Sequence, residues 1–216
     1  MKILKSTIIV LSLLLFIQCK NVDKPIVSTT YIDSLLTNYG TPTAITFNQK
    51  ELQFWKSRIQ KNSFDIVNES KYASNLVGRF NLLGDLNDVK MADSILINIE
   101  KKFNNKEAGI YLSLVSNSIL QHHFKKANDY LQKAKTIGIR KAEDNTLTFD
   151  VDFELGNIEN ATANLDEMKE NFDFGYQFRK SKLSHYNGNL EESIAFMQKA
   201  TEIAGDNVAA RNIALS

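Results

Sequence analysis

A chain of 216 residues, 43% hydrophobic and 24% charged, has the balance of an ordinary folded domain or short repeat array, which excludes collagen-like, mucin-like and wholly disordered chains. Its formal charge of +1 becomes −1 once residues 1–18, with Lys2 and Lys5 and no acid, are set aside. The remaining cations are scattered among acids, so no nucleic-acid partner is expected.

Residues 1–18 read as an export signal. Lys2 and Lys5 give a charged start, and Ser6 to Ile17 is an apolar run of twelve residues, whereas a helix needs about 20 to span a bilayer. Cys19, the single cysteine of the chain, stands two residues past that run. Phe16-Ile17-Gln18-Cys19 resembles a bacterial lipobox, although Gln18 stands where that pattern has a small residue. The resemblance implies acylation of Cys19 as a new N-terminus, and so an exported, membrane-anchored lipoprotein facing the periplasm or set in the outer membrane. With one cysteine no intrachain disulfide can form. Residues 19–30, with Pro25 and few large apolar groups, read as a tether between lipid and domain.

Residues 31–64 are expected to form an N-terminal helical cap. Tyr31, Ile32, Leu35, Leu36 and Tyr39 lie on one helical face that Gly40-Thr41-Pro42 ends, and Leu52, Trp55 and Ile59 continue as a second stripe. Both prolines of the chain precede residue 43, which favours helices over a turn-rich sandwich from there to the C-terminus.

Self-similarity organises residues 65–207. Ala92, Leu96 and Ile99 have the same +4, +3 spacing as Ala127, Leu131 and Ala134, as Ala161, Leu165 and Met168, and as Ser193, Met197 and Ala200. The offsets between these triplets are 35, 34 and 32 residues. Gly84-Asp85, Gly156-Asn157 and Gly188-Asn189 precede three of them, and His122-His123 fills the same place before the other. A small residue opening each triplet lets two helices approach closely, and the larger ones a turn later fill the contact. Gly188 to Ala200, with Tyr111 and Leu114 in a first helix, resembles the tetratricopeptide repeat family, whose pattern sets Gly at the turn and Ala at the opening of the second helix. The resemblance implies an all-α superhelix of helical hairpins. It divides the chain into four units, 65–107, 108–141, 142–173 and 174–207, the first with a turn about three residues longer than the rest, and 208–216 would be a C-terminal cap helix or an abbreviated next unit.

Leu147 to Leu155 alternates apolar and polar for nine residues, the period of a half-buried strand. Its place between two triplets argues for a helix, with Leu147, Val151 and Leu155 on one face and Phe149 and Phe153 on another.

Catalytic signatures are absent: the sequence has no H-E-x-x-H, C-x-x-C, G-x-S-x-G or glycine-rich phosphate loop, and no enzyme activity, metal or cofactor is expected. His122 and His123 read as solvated turn residues, His185 as packing or groove polarity, and Trp55 as a core residue of the cap. The family resemblance implies a non-catalytic scaffold holding a protein or peptide partner along its first helices, at Asn75 and Arg79, Ser113 and Asn117, Thr146 and Asp150, and Arg179 and Lys182. Their mixed charges point to a partner segment of mixed charge. The alternative is a solute- or glycan-binding lipoprotein, which would need clustered exposed aromatics; 13 Phe against one Trp favours use in a core.

Overall fold

A computed structural model describes residues 27–62, 65–104, 106–171 and 173–205. The signal and lipidation segment, most of the tether and the expected C-terminal helix at 208–216 lie outside these residues. Among the described residues there are ten α-helices, one 3-10 turn and no strand. They fall into two compact units, one ending at Pro42 and one starting at Thr43.

The first unit contributes α1, Thr29–Thr37. Ser28 caps it, its hydroxyl accepting from the Tyr31 amide at 3.1 Å, so the helix opens two residues before the apolar pattern does and takes Thr29 and Thr30 out of the expected tether. All nine residues of α1 are exposed. The expected cap over 31–64 is therefore split between the units.

The second unit runs α2 (Thr43–Lys61), α3 (Ile66–Leu83), α4 (Leu86–Lys102), α5 (Ala108–Leu120), α6 (Phe124–Ile137), α7 (Lys141–Leu155), α8 (Ile158–Asp166), the 3-10 turn Lys169–Asn171, α9 (Phe174–Tyr186) and α10 (Leu190–Ala204). Helices adjacent in sequence are adjacent in space: α2 lies on α3, the hairpins are α3/α4, α5/α6, α7/α8 and α9/α10, and each hairpin meets the next through α4/α5, α6/α7 and α8/α9. This is the expected stack of helical hairpins.

The triplets make the contacts their spacing implies. Ala92, Ala127 and Ala161 are fully buried, and Leu96, Ile99, Leu131, Ala134 and Leu165 fill the space beside them. In the last unit Ala200 is buried while Ser193 and Met197 are only half-buried, since among the described residues no element comes after α10 to cover them. Of the stripe in α2, Leu52 is the buried residue; Trp55 is half-buried and donates its indole N–H to Glu51 at 2.9 Å, which sets it at the margin of the packing rather than in the expected core.

The alternating stretch at 147–155 is helical, and its two faces enter two different cores. Val151 is buried with Val115, Ala127 and Leu131, flanked by Leu147 and Leu155. Phe149 is buried with Ala161, Leu165 and Leu183, flanked by Phe153. A first helix inside a stack has neighbours on both sides, so apolar residues on two faces produce alternation without a strand.

Gly84, Gly156 and Gly188 end their helices at φ of 75°, 81° and 80°, the left-handed geometry that reverses the chain in few residues. His122 holds the equivalent place at φ 55°, a conformation that a side chain with a Cβ adopts at a cost. The three additional residues of the first unit do not lengthen its turn. Asp85 caps α4 directly after Gly84, and α4 begins six residues before Ala92, where α6 and α8 begin three before Ala127 and Ala161. The insertion is an extra turn of helix.

Candidate partner groove

Small side chains at four-residue spacing make one strip of α3 shallow: Ser70, Ser74 and Gly78. Together with Ile110, Ser113 and Ser116 of α5 they line a depression of about 450 Å³. Ser113, Ser116 and Leu112 also line a second depression of about 440 Å³, whose far wall is Ala142, Glu143, Thr146 and Leu147 of α7. The shared serines join the two into one groove crossing three successive first helices.

The chemistry of its floor is set by helix geometry. Ser113 donates its hydroxyl proton to the Gly109 carbonyl at 3.1 Å, Ser116 to Leu112 at 3.2 Å and Thr146 to Ala142 at 2.7 Å. With their protons spent inside their own helices, these oxygens face the groove as acceptors. Glu143 is the charged residue of the wall between α5 and α7, and the guanidinium of Arg140 beside it holds its carboxyl below the usual range.

Gly78 has a separate role. A Cβ there would meet the amide nitrogen of Asn48 at 3.2 Å, and that nitrogen donates to the Asn75 carbonyl at 2.9 Å, so the missing side chain lets α2 reach the α3 backbone.

The residues expected to contact a partner divide into two sets. Ser113 and Thr146 lie on the groove, and Asn117 borders it although its side chain is buried. Asn117 donates to the buried Asp93 at 2.9 Å, and Gln121 donates to the other oxygen of Asp93 at 2.9 Å, which ties α4 to α5. Asn75 is half-buried and donates to the Lys71 carbonyl at 2.9 Å. The charged members are committed within the protein. Arg79 grips both oxygens of buried Asp88, one at 2.7 Å, and the pairing raises its pKa further. Asp88 stands on the extra turn of α4, so the inserted residues serve to hold α3 to α4.

Arg179 of α9 donates to both oxygens of Asp150 on α7, and Lys182 reaches Glu154 at 2.5 Å while lying 4.6 Å from the centre of the Phe153 ring. Successive first helices are neighbours in space, so opposite charges on α7 and α9, 28 and 29 residues apart, neutralise each other. The groove thus offers hydroxyl acceptors where the sequence suggested mixed charges. Ser70, Ser74, Gly78, Asn81 and Ser116 are absent from the sequence-based expectation; the signal that could have found them is their four- and three-residue spacing along first helices.

Elsewhere the titratable groups serve packing. Tyr111 is buried at the start of α5, its phenol donating to Glu100, and burial first, then that hydrogen bond, pushes its pKa up to about 12. His122, His123 and His185 are exposed. Among the described residues no group of three or more His, Cys, Asp or Glu could hold a metal ion, and no helix is long and apolar enough to cross a membrane.

No family model and no curated protein matches the sequence. A solved structure, described as the crystal structure of MamA, superposes with a TM-score of 0.50 over 78% of this chain and 98% of that one, at 15% identity. The chain has a tetratricopeptide-like fold. At that identity the likeness is one of fold alone.

Proposed function

We propose that the protein is a non-catalytic interaction scaffold, anchored to a membrane by a lipid on Cys19, that holds a segment of a partner protein in the groove across α3, α5 and α7. The continuity of the groove through Ser113 and Ser116 carries this reading. An open surface lined by short hydroxyl side chains lets a peptide or helix approach closely and offers acceptors to the free N–H groups of an extended segment, whereas an enzyme or solute site would be expected as an enclosed pocket with converging polar groups. The unique cysteine at the end of a short apolar run supports the anchor.

The test is affinity capture from membranes with wild type and with Ser113→Arg/Ser116→Arg, which fills the groove without touching a core residue. A partner retained by wild type and by the surface control Lys101→Glu/Lys199→Glu, and lost from the groove variant, supports the reading. Equal retention by all three sinks it. Fatty-acid labelling of wild type against Cys19→Ser tests the anchor separately.

A further inference from the structure

The helix α1 presents an exposed apolar face. Leu35 is 55% and Leu36 68% exposed, with Ile32 beside them and Tyr31 and Tyr39 at the two ends of the stripe. A nine-residue helix falls short of the roughly 12 to 15 residues at which helices become marginally stable in water, so its stability has to come from whatever covers that face. We infer that α1 lies in the surface of a lipid bilayer, with Ile32, Leu35 and Leu36 among the acyl chains and the two tyrosines at headgroup level. The inference builds on the proposed lipid anchor at Cys19.

Charge and chain length both point to lipid as the occupant. Between Lys24 and Lys50 the sole charge is Asp33, so the rest of the helix can enter the interface without burying ions, and its opposite face carries the polar Thr30, Ser34 and Thr37. Tyr31 and Tyr39 bracket the apolar residues as amphipathic rings do at a membrane boundary. Lys20 and Lys24 supply positive charge towards anionic headgroups. Ser28 lies nine positions after Cys19, at most about 30 Å of extended chain, so an acylated Cys19 would hold α1 within reach of the bilayer and turn a weak affinity into an intramolecular one.

Residues 20–216 omit the apolar run and the acylation site, contain no cysteine, and retain every core residue of the array from Leu52 onward, so this chain keeps its fold. It is expected to co-sediment with vesicles of phosphatidylethanolamine and phosphatidylglycerol, and Ile32→Asn/Leu36→Asn to reduce the bound fraction roughly tenfold with an unchanged melting temperature. No co-sedimentation, or equal co-sedimentation of the double variant, overturns the inference. An environment-sensitive fluorophore on Leu36→Cys should shift to the blue when vesicles are added. A blue shift already complete without vesicles also overturns it: one that grows with protein concentration assigns the face to a second copy, and one independent of concentration assigns it to the same chain. The anchor is read out apart from this, by fatty-acid labelling of the full chain: vesicle binding without labelling retains α1 docking and discards the anchor, and labelling without vesicle binding does the reverse.

Discussion

Arg179 on α9 and Asp150 on α7 stand 29 residues apart in sequence and form a two-pronged ion pair, Nε to Oδ1 at 2.8 Å, that joins the third hairpin to the fourth. The side chains are 13% and 23% exposed, which places the pair between the surface bridges that contribute little and the buried ones whose disruption is costly. Arg179→Met and Asp150→Asn should each lower stability by about 1–2 kcal/mol, and urea denaturation of the double variant should reveal a coupling of about 1 kcal/mol. Purely additive losses would show that the pair is solvent-screened and that apolar packing such as Leu183 against Phe149 joins the hairpins without it.

The same pair shows what the sequence makes legible and what it hides. Residue spacing identifies the small residues Ala92, Ala127 and Ala161, because a helix–helix contact excludes anything larger at that point and leaves its mark at every repeat. It also resolves the alternation at 147–155, where Val151 and Phe149 serve two cores. Side-chain destinations are another matter. Arg79, Asp150, Arg179 and Lys182 are polar residues on exposed-looking helix positions, and nothing local tells that each has an opposite charge within reach on a neighbouring helix. The extra turn of α4 is hidden for a similar reason: three inserted residues can lengthen a loop or a helix, and Asp85 decides for the helix by capping it immediately after Gly84.

His122 occupies a left-handed position that the equivalent turns give to glycine. Replacing it should relieve backbone strain of about 1 kcal/mol, partly offset by the greater freedom of glycine in the unfolded chain and by loss of the edge-on contact with Phe124 at 5.6 Å. His122→Gly is therefore expected to raise stability by up to about 1 kcal/mol, whereas His123→Gly, at negative φ, should lower it. Thermal melts that rank the two variants the other way would show that the His122 ring contributes more than its backbone costs.

Ala127 has no exposed surface and sits where α6 meets the preceding helix, so Ala127→Leu must push the helices apart or force an off-rotamer side chain, at about 1–3 kcal/mol or more. Ser193, its counterpart in the last unit, is half-buried; Ser181 donates to its backbone carbonyl at 2.8 Å, and the two hydroxyls lie 3.0 Å apart. Ser193→Ala removes that hydroxyl contact without opening a cavity and should lower stability by no more than about 1 kcal/mol. A larger loss from Ser193→Ala than from Ala127→Leu in denaturant titrations would contradict the packing order along the stack.

Tyr111 ties stability to alkaline pH. Its ring is buried between Tyr130, 6.1 Å away, and the ammonium of Lys133, 5.4 Å from the ring centre, while its hydroxyl donates to Glu100. Burial of the phenol and the acceptor carboxylate both oppose loss of its proton, which moves its pKa from 10.0 to about 12. The folded state holds this proton more tightly than the unfolded chain, so the contribution is complete below about pH 10 and disappears as pH rises through about 12, with a ceiling on the order of 2 kcal/mol. Tyr111→Phe retains the ring and removes the titrating group. The comparison isolates the Tyr111 phenol, so the difference between wild type and Tyr111→Phe in urea stability should be constant from pH 7 to 9 and shrink from pH 10 to 12. A difference that stays constant to pH 12 would mean that the phenol loses its proton as readily folded as unfolded, and that the bond to Glu100 does not protect it.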